Sequence, residues 1–241
     1  MTVIVLFINL KPKQLPMPRR IYHGSPQRLE HPRLLGGKPY NDYGNGFYCT
    51  ENLNMAAEWA VGIDHDGWIN EYDIDCDGLV ILDLNGRGFS VLHWLAVLLE
   101  NRTFDLSYAL AREAREYILQ NLSVDYSSAD IINGYRADDS YFSFAQDFLS
   151  GAISFRQLRQ AMHLGHLGNQ FVLKSRRSFD RLKFVGATFA SKDTWYPLRA
   201  RRDANARADY FSSRNQRRRP DDLFIIQIID EGIKADDSRL H

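Results

Sequence analysis

The feature that most constrains this chain is the placement of its strand-like segments at both ends of a long helical middle. Near the front, Arg20 to His23 reads as a short strand ended by Gly24. "GWINEYDID" and "LVILDL" read as two more, separated by the turn residues Asp77 and Gly78. A helix is expected around Leu53 to Val61, favoured by Ala56, Ala57 and Ala60, with Thr50 or Asn52 as its cap. Then "FSVLHWLAVLLENR" carries apolar residues on most faces, the mark of a buried helix. "LSYALAREAREYILQ" is amphipathic and places Leu106, Leu110, Ala114 and Tyr117 along one side. "ADIINGYR" offers a short strand, and "DDSYFSFAQDFLSG" and "SFRQLRQAMHLG" read as two helices, the second capped by Ser154. Only after these come the strands "NQFVLKS" and "KFVGATFA". Strands, helices, then strands again predict an α+β fold whose sheet is completed by distant segments.

Composition narrows the function classes. With 241 residues the chain is long enough for one sizeable domain, or a domain plus an extension. Lys+Arg and Asp+Glu both number 30, so no global charge recommends a nucleic acid or an anionic membrane. Cys49 and Cys76 match no metal spacing and no disulfide framework, which predicts a reducing, cytoplasmic setting. The apolar run Val3 to Leu10 is shorter than the ~20 residues a membrane span needs. It lacks the flanks of a signal peptide, and residues 1–19 read as an N-terminal extension.

The tail differs again. Arg199 to Arg219 carries eight arginines against two aspartates, and Asp221 to Asp237 six acids against one lysine. Residues 199–241 therefore read as a charged appendage, mobile or helical, whose halves neutralise each other. The other reading is an RNA- or partner-binding arm, for which the aromatics Tyr210 and Phe211 are few.

Most familiar chemistries find no motif. His163 and His166 are three apart, but Gly165 lies between them and further ligands are missing, so no metal is expected. "GRG" at Gly86 to Gly88 follows a strand but lacks the third glycine of a dinucleotide fingerprint. Neither G-x-x-x-x-G-K-[ST] nor G-x-S-x-G occurs.

Two stretches remain: "IYHGSP" at Ile21 to Pro26 and "YGNGFYCT" at Tyr43 to Thr50. Each alone is compatible with a structural role. Together, joined by a glycine-rich loop, "YHGS" and "GFYCTENLNMAAEWA" resemble the first and second motifs of ADP-ribosyltransferases of the diphtheria-toxin and poly(ADP-ribose) polymerase type. The run from "GYRADDSYF" to "NQFVLKS" is similar to a bacterial family of unknown function described as ADP-ribosyltransferase-like, and the resemblance covers about Arg20 to Phe189.

The resemblance implies a split mixed or antiparallel sheet with a helical insertion between its halves, in a domain over residues 20–198. It implies NAD as substrate and a catalytic set of His23, Tyr48 and Gln170. His23 would hold a ribose hydroxyl, Gly24 would offer its backbone to the nicotinamide amide, Ser25 a nearby hydroxyl, and Tyr48 a flat face for the ring. Tyr43, Gly46 and Phe47 would border the cofactor, under a mobile loop from Tyr40 to Asn45. Gln170 stands where the superfamily usually has a glutamate, and an amide carries no charge and is no base. Asp138 and Asp139 are the candidates to supply an acid, unless they only cap a helix. Arg136 beside them would contact the pyrophosphate or merely neutralise the pair. The expected activity is mono-ADP-ribosylation of an unknown protein or nucleic-acid acceptor by a bacterial toxin or effector, with a possible antitoxin and no membrane. The alternatives are a module that binds NAD or ADP-ribose without turnover, and a nucleic-acid-targeting toxin.

Overall fold

A computed structural model describes residues 18–34, 36, 39–137, 139–164 and 168–241, with backbone alone for 139–141. Most of the N-terminal extension, Asp138 and His166 thus lie outside the described residues, as does the side chain of Asp139. The protein is α+β. In chain order it runs β1 (Arg19–Ser25), β2 (Phe47–Cys49), α1 (Leu53–Ala60), β3 (Gly67–Ile74), β4 (Ile81–Asp83), α2 (Val91–Asn101), α3 (Ala109–Asn121), β5 (Ile131–Tyr135), α4 (Asp139–Leu149), α5 (Phe155–Ala161), β6 (Asn169–Leu173), α6 (Arg176–Asp180), β7 (Leu182–Ala190), α7 (Lys192–Arg214) and α8 (Ile225–Asp230). A 3₁₀ turn at Ser238–Leu240 follows.

The chain forms two compact units. The first takes the stretch ending at Asp83, Val124–Gly134 and Asn169–Arg199. It holds an antiparallel sheet in the order β1-β3-β7 and a mixed sheet in the order β2-β6-β5-β4, in which β4 and β5 run parallel. The "GWINEYDID" and "LVILDL" strands, β3 and β4, therefore go to different sheets despite the short turn between them. One face of β1, β2, β3 and β6 buries Ile21, Phe47, Cys49, Tyr72, Ile74, Phe171 and Leu173 in a shared apolar cluster. The other face of β1 and β3 is covered by α1, whose Ala56, Ala57 and Ala60 pack with Val61, Ile69 and Ala190. Asn52 caps α1 through its side-chain oxygen, which accepts from the Asn54 and Met55 amides.

Small residues on α1 let the helix approach closely. A β-carbon on Gly24 would stand 2.0 Å from the Ala56 carbonyl oxygen, and one on Gly67 would meet the Ala60 oxygen at 2.0 Å. Two glycines on neighbouring strands thus form the floor on which the alanine face rests.

The second unit takes Leu84–Ser123, Tyr135–Gly168 and Ala200–His241. Helix α2 is buried along nearly its whole length, as its all-round apolar pattern predicts, and its Trp94 indole donates to the Tyr135 carbonyl at 3.1 Å. Ser90 caps α2 and His93 closes the capping box, its Nδ1 accepting from the Ser90 amide at 2.9 Å. On α3 the buried residues are Ala111, Ala114 and Ile118 rather than the stripe through Leu110 and Tyr117, because the helix starts only at Ala109 and leaves Leu106 before it.

Residues 200–241, which charge alone sets apart, are packed into this unit. Ala206, Tyr210, Ile225, Ile228, Ile233 and Leu240 are buried. The Tyr210 ring stacks on Phe144 with centroids 3.8 Å apart, and its hydroxyl donates to Asp147 at 2.6 Å. Arg156 reaches the buried Asp222 at 2.7 Å. Among the described residues, no helix is long and apolar enough to cross a membrane.

Candidate active site at the opening between β1 and β2

Among the described residues, one backbone bridge joins the two sheets of the first unit. Tyr22 and Thr50 exchange both backbone hydrogen bonds, at 2.8 and 2.9 Å, and form an isolated antiparallel bridge. The same register would set Gly24 opposite Tyr48, yet no bridge forms there. Backbone groups alternate in direction along a strand, so Gly24 aims its N–H and C=O the same way as Tyr22, into the opening between β1 and β2. The Tyr48 carbonyl is taken instead by a side chain: His23 Nδ1 lies 2.7 Å from it.

This contact fixes the histidine. A carbonyl only accepts, so Nδ1 carries the proton, and burial pushes the ring's pKa below its usual value, against the weaker upward pull of the Tyr48 hydrogen bond. The ring is therefore neutral near pH 7, with Nε2 as an acceptor. It lies against Phe47, centroids 4.4 Å apart.

Strand alternation divides the three expected catalytic side chains. Tyr48 pairs with Val172 in the β2–β6 ladder, so Tyr48, Val172 and Gln170 share one face. His23 projects from the other, with Phe47 and Ile21. The structure thus brings His23 to the backbone of Tyr48 and Gln170 to its side-chain face.

The loop ahead of β2 is tied down from both ends. The Tyr48 hydroxyl donates to the Gly44 carbonyl at 2.6 Å and accepts from the Tyr43 amide at 3.0 Å. The Lys174 ammonium, beyond β6, donates to the Tyr43 and Asn45 carbonyls. Gly46 lies so close to β6 that a β-carbon there would meet Val172 Cγ1 at 2.6 Å. Tyr43 is fully buried and Phe47 nearly so, in the core rather than at a surface.

Ser25 turns inward. Its hydroxyl donates to the Gln27 carbonyl at 2.5 Å and accepts from Asn70 Nδ2 at 3.2 Å. Asn70, fully buried opposite His23 in the β1–β3 ladder, also reaches the His23 carbonyl and accepts from the Leu29 amide at 2.7 Å. This amide pins the turn after β1, a role that nothing in its neighbourhood of sequence signals.

Gln170 is 7% exposed. Its Nε2 donates to Asp42 Oδ2 at 3.4 Å, and Asp42 is itself 4% exposed. The other amide atom, Oε1, is buried with no hydrogen-bond partner among the described residues. Such an atom ordinarily costs about 1–3 kcal/mol. Sequence reading missed Asp42, which sits in a turn-rich stretch where aspartate is commonplace. Arg136 and the start of α4 at Asp139 belong to the second unit.

Two other expectations have a place in the structure. The Gly86–Gly88 turn lines a cavity of about 440 Å³ within the second unit, together with Phe89, Tyr135, Arg159 and His163. Cys49 and Cys76 are buried free thiols, and burial raises the pKa of each, so neither is poised as a nucleophile. Among the described residues no group of three or more His, Cys, Asp and Glu is arranged to hold a metal.

Comparison with known proteins adds a family and no activity. No curated protein and no solved structure shows significant similarity to the chain. Residues 19–184 match the family described as "Protein of unknown function (DUF3990)". That match takes in β1 to β6, the opening beside Gly24 and the Asp42–Gln170 contact, and by it the chain belongs to the DUF3990 family.

Proposed function

We propose that the protein is an NAD-dependent mono-ADP-ribosyltransferase that acts as a toxin or effector on a macromolecular acceptor. The observation that carries the reading is the stop in pairing beside Gly24. It leaves a peptide N–H and C=O side by side at the edge of β1, a donor and an acceptor spaced to meet a primary carboxamide such as that of nicotinamide. The resemblance of "YHGS" and "GFYCT" to the transferase motifs supports the same choice of ligand.

In this reading the bond between the nicotinamide nitrogen and ribose C1′ breaks, and its electron pair leaves with the now neutral nicotinamide. The ribosyl oxocarbenium is captured by an acceptor nucleophile, which forms the new bond to C1′ and loses a proton. His23 Nε2 takes a ribose hydroxyl, the Tyr48 ring flanks the nicotinamide, and Gln170 Oε1 accepts from the other ribose. Gln170 also favours the alternative, a module that binds NAD or ADP-ribose without turnover, because a neutral amide stabilises an oxocarbenium less than a carboxylate does.

Nicotinamide release from NAD by the purified chain, with and without cell lysate, tests the proposal. Release that rises with lysate and falls at least tenfold in both His23→Ala and Gln170→Ala is expected. Saturable NAD binding without release would replace the proposal with the binding module. Release unchanged in both variants would remove this site from consideration.

A further inference from the structure

The contact between Asp42 and Gln170 joins residues from the β2 approach loop and the start of β6, and nothing in the local chemistry of either stretch requires it. Both side chains are more than nine-tenths buried. A carboxylate has no hydrogen to give, so the amide atom facing it at 3.4 Å must be the nitrogen. Asp42 thereby fixes which way round the Gln170 amide sits. With Nε2 turned to the carboxylate, Oε1 is held the other way, and this oxygen is buried without a partner among the described residues. The arrangement is an acceptor prepared in advance, and its complement is a hydroxyl or N–H donor on a ligand.

The carboxylate does not arrive by accident of a loose loop. The Gly44 amide donates to the Asn41 carbonyl at 2.9 Å across Asp42 itself, and the next residues are held by the Tyr48 hydroxyl and the Lys174 ammonium. Gln170 lies on the Tyr48 face of the ladder. We infer that Asp42 is the positioning residue of this site: it orients Gln170 so that Oε1 accepts a ligand hydroxyl, and it lends the amide the negative charge that a carboxylate at position 170 would otherwise have carried. With NAD as the ligand, the inference rests on the transferase reading above, and the hydroxyl is one on the ribose that develops positive charge.

Asp42→Asn separates charge from shape. The asparagine oxygen still accepts from Gln170 Nε2, so the fold and its melting temperature are kept, while the charge is gone. The expected result is a fall in kcat for nicotinamide release of about 10–100-fold, with KM for NAD changed less than about threefold. Moving the charge across the pair, in Asp42→Asn with Gln170→Glu, is expected to recover kcat to within about tenfold of the parent. Parent-like kcat in Asp42→Asn, while His23→Ala and Gln170→Ala remain inactive, overturns the role of Asp42 and leaves the transferase reading standing.

If the parent itself releases no nicotinamide, the transferase reading fails and a second readout decides the pair. The side-chain NH₂ resonances of Gln170 in a ¹H–¹⁵N spectrum of the full chain are then compared between the parent and Asp42→Ala. Displaced, slowly exchanging signals that revert to free-amide positions in the variant support the orientation by Asp42. Identical signals in both proteins overturn it.

Discussion

Replacing Gly24 by alanine tests the contact that shapes the β1 edge. The added carbon would stand 2.0 Å from the Ala56 oxygen, 2.7 Å from the Ala60 nitrogen and 2.9 Å from Trp59 Cβ. Two of these are backbone atoms inside a helix, so no rotamer change relieves the clash. A carbon–oxygen contact settles at about 3.3 Å, which means that α1 must withdraw from β1 by roughly 1.3 Å. That withdrawal loosens the Ala56, Ala57, Ala60, Ile69 and Ala190 cluster along its whole length. The cost belongs at the upper end of the overpacking range, about 3 kcal/mol. For a chain of this size it lowers the melting temperature by roughly 6–12 °C. Gly186→Ala is the control, since a β-carbon there meets nothing within 4 Å, and its effect should stay within about 0.5 kcal/mol. Circular-dichroism melts and urea titrations of both variants beside the parent give the answer. A Gly24→Ala protein that melts within about 2 °C of the parent would refute the close seating of α1, and with it a structural reason for glycine at this position.

Three further outcomes are expected. Burial depresses the His93 pKa to about 4, well below the usual value, so the native state resists a proton that the unfolded chain accepts. Stability from this group is complete above about pH 6.5 and declines as pH falls toward 4, by about 3 kcal/mol in all. His93→Gln keeps a capping acceptor and should flatten that slope in melts taken from pH 7 to 4, leaving the loss of the same sign from His23. Tyr48→Phe removes the hydroxyl that joins the Tyr43 amide to the Gly44 carbonyl. It should cost about 1–2 kcal/mol and speed amide exchange in the approach loop, read by mass spectrometry after deuteration. Arg156→Met strands the buried Asp222 carboxylate without its guanidinium and should cost about 2–3 kcal/mol by urea titration, the partial exposure of Arg156 keeping the figure below that of a fully buried pair. Asp222→Asn in the same chain should restore part of the loss.

The elements that read clearly in the sequence are those whose signal is local. The all-round apolar run of α2, the Ser154–Gln157 capping box of α5 and the alternation of β3 need no distant partner to be recognised. What stayed hidden depends on residues far apart. Gln170 and Asp42 are 128 positions apart, and an aspartate among glycines and asparagines reads only as a turn former. The packing of the tail is hidden for a different reason. Its many arginines dominate any count, whereas its anchoring rests on a few apolar positions such as Ala206 and Tyr210, one helical turn apart. In the opening motifs, His23 and Tyr48 were legible as a pair. That they would meet through a ring nitrogen and a backbone carbonyl, with their side chains on opposite faces, follows from the strand register, which short motifs do not encode.

The interleaving of the first unit also sets a schedule for biosynthesis. Its chain departs at Asp83, returns for Val124–Gly134, and comes back finally at Asn169 with β6 and β7. Until then β2 has no ladder partner and β3 lacks its second neighbour. At typical ribosomal speeds of about 5–20 residues per second, the span from Asp83 to Gln170 takes roughly 4–17 s to emerge. Throughout that interval the His23 and Tyr48 segments have been made while Gln170 has not. A growing chain therefore carries no assembled site, and whatever chemistry the finished protein performs begins only after its last strands have been added.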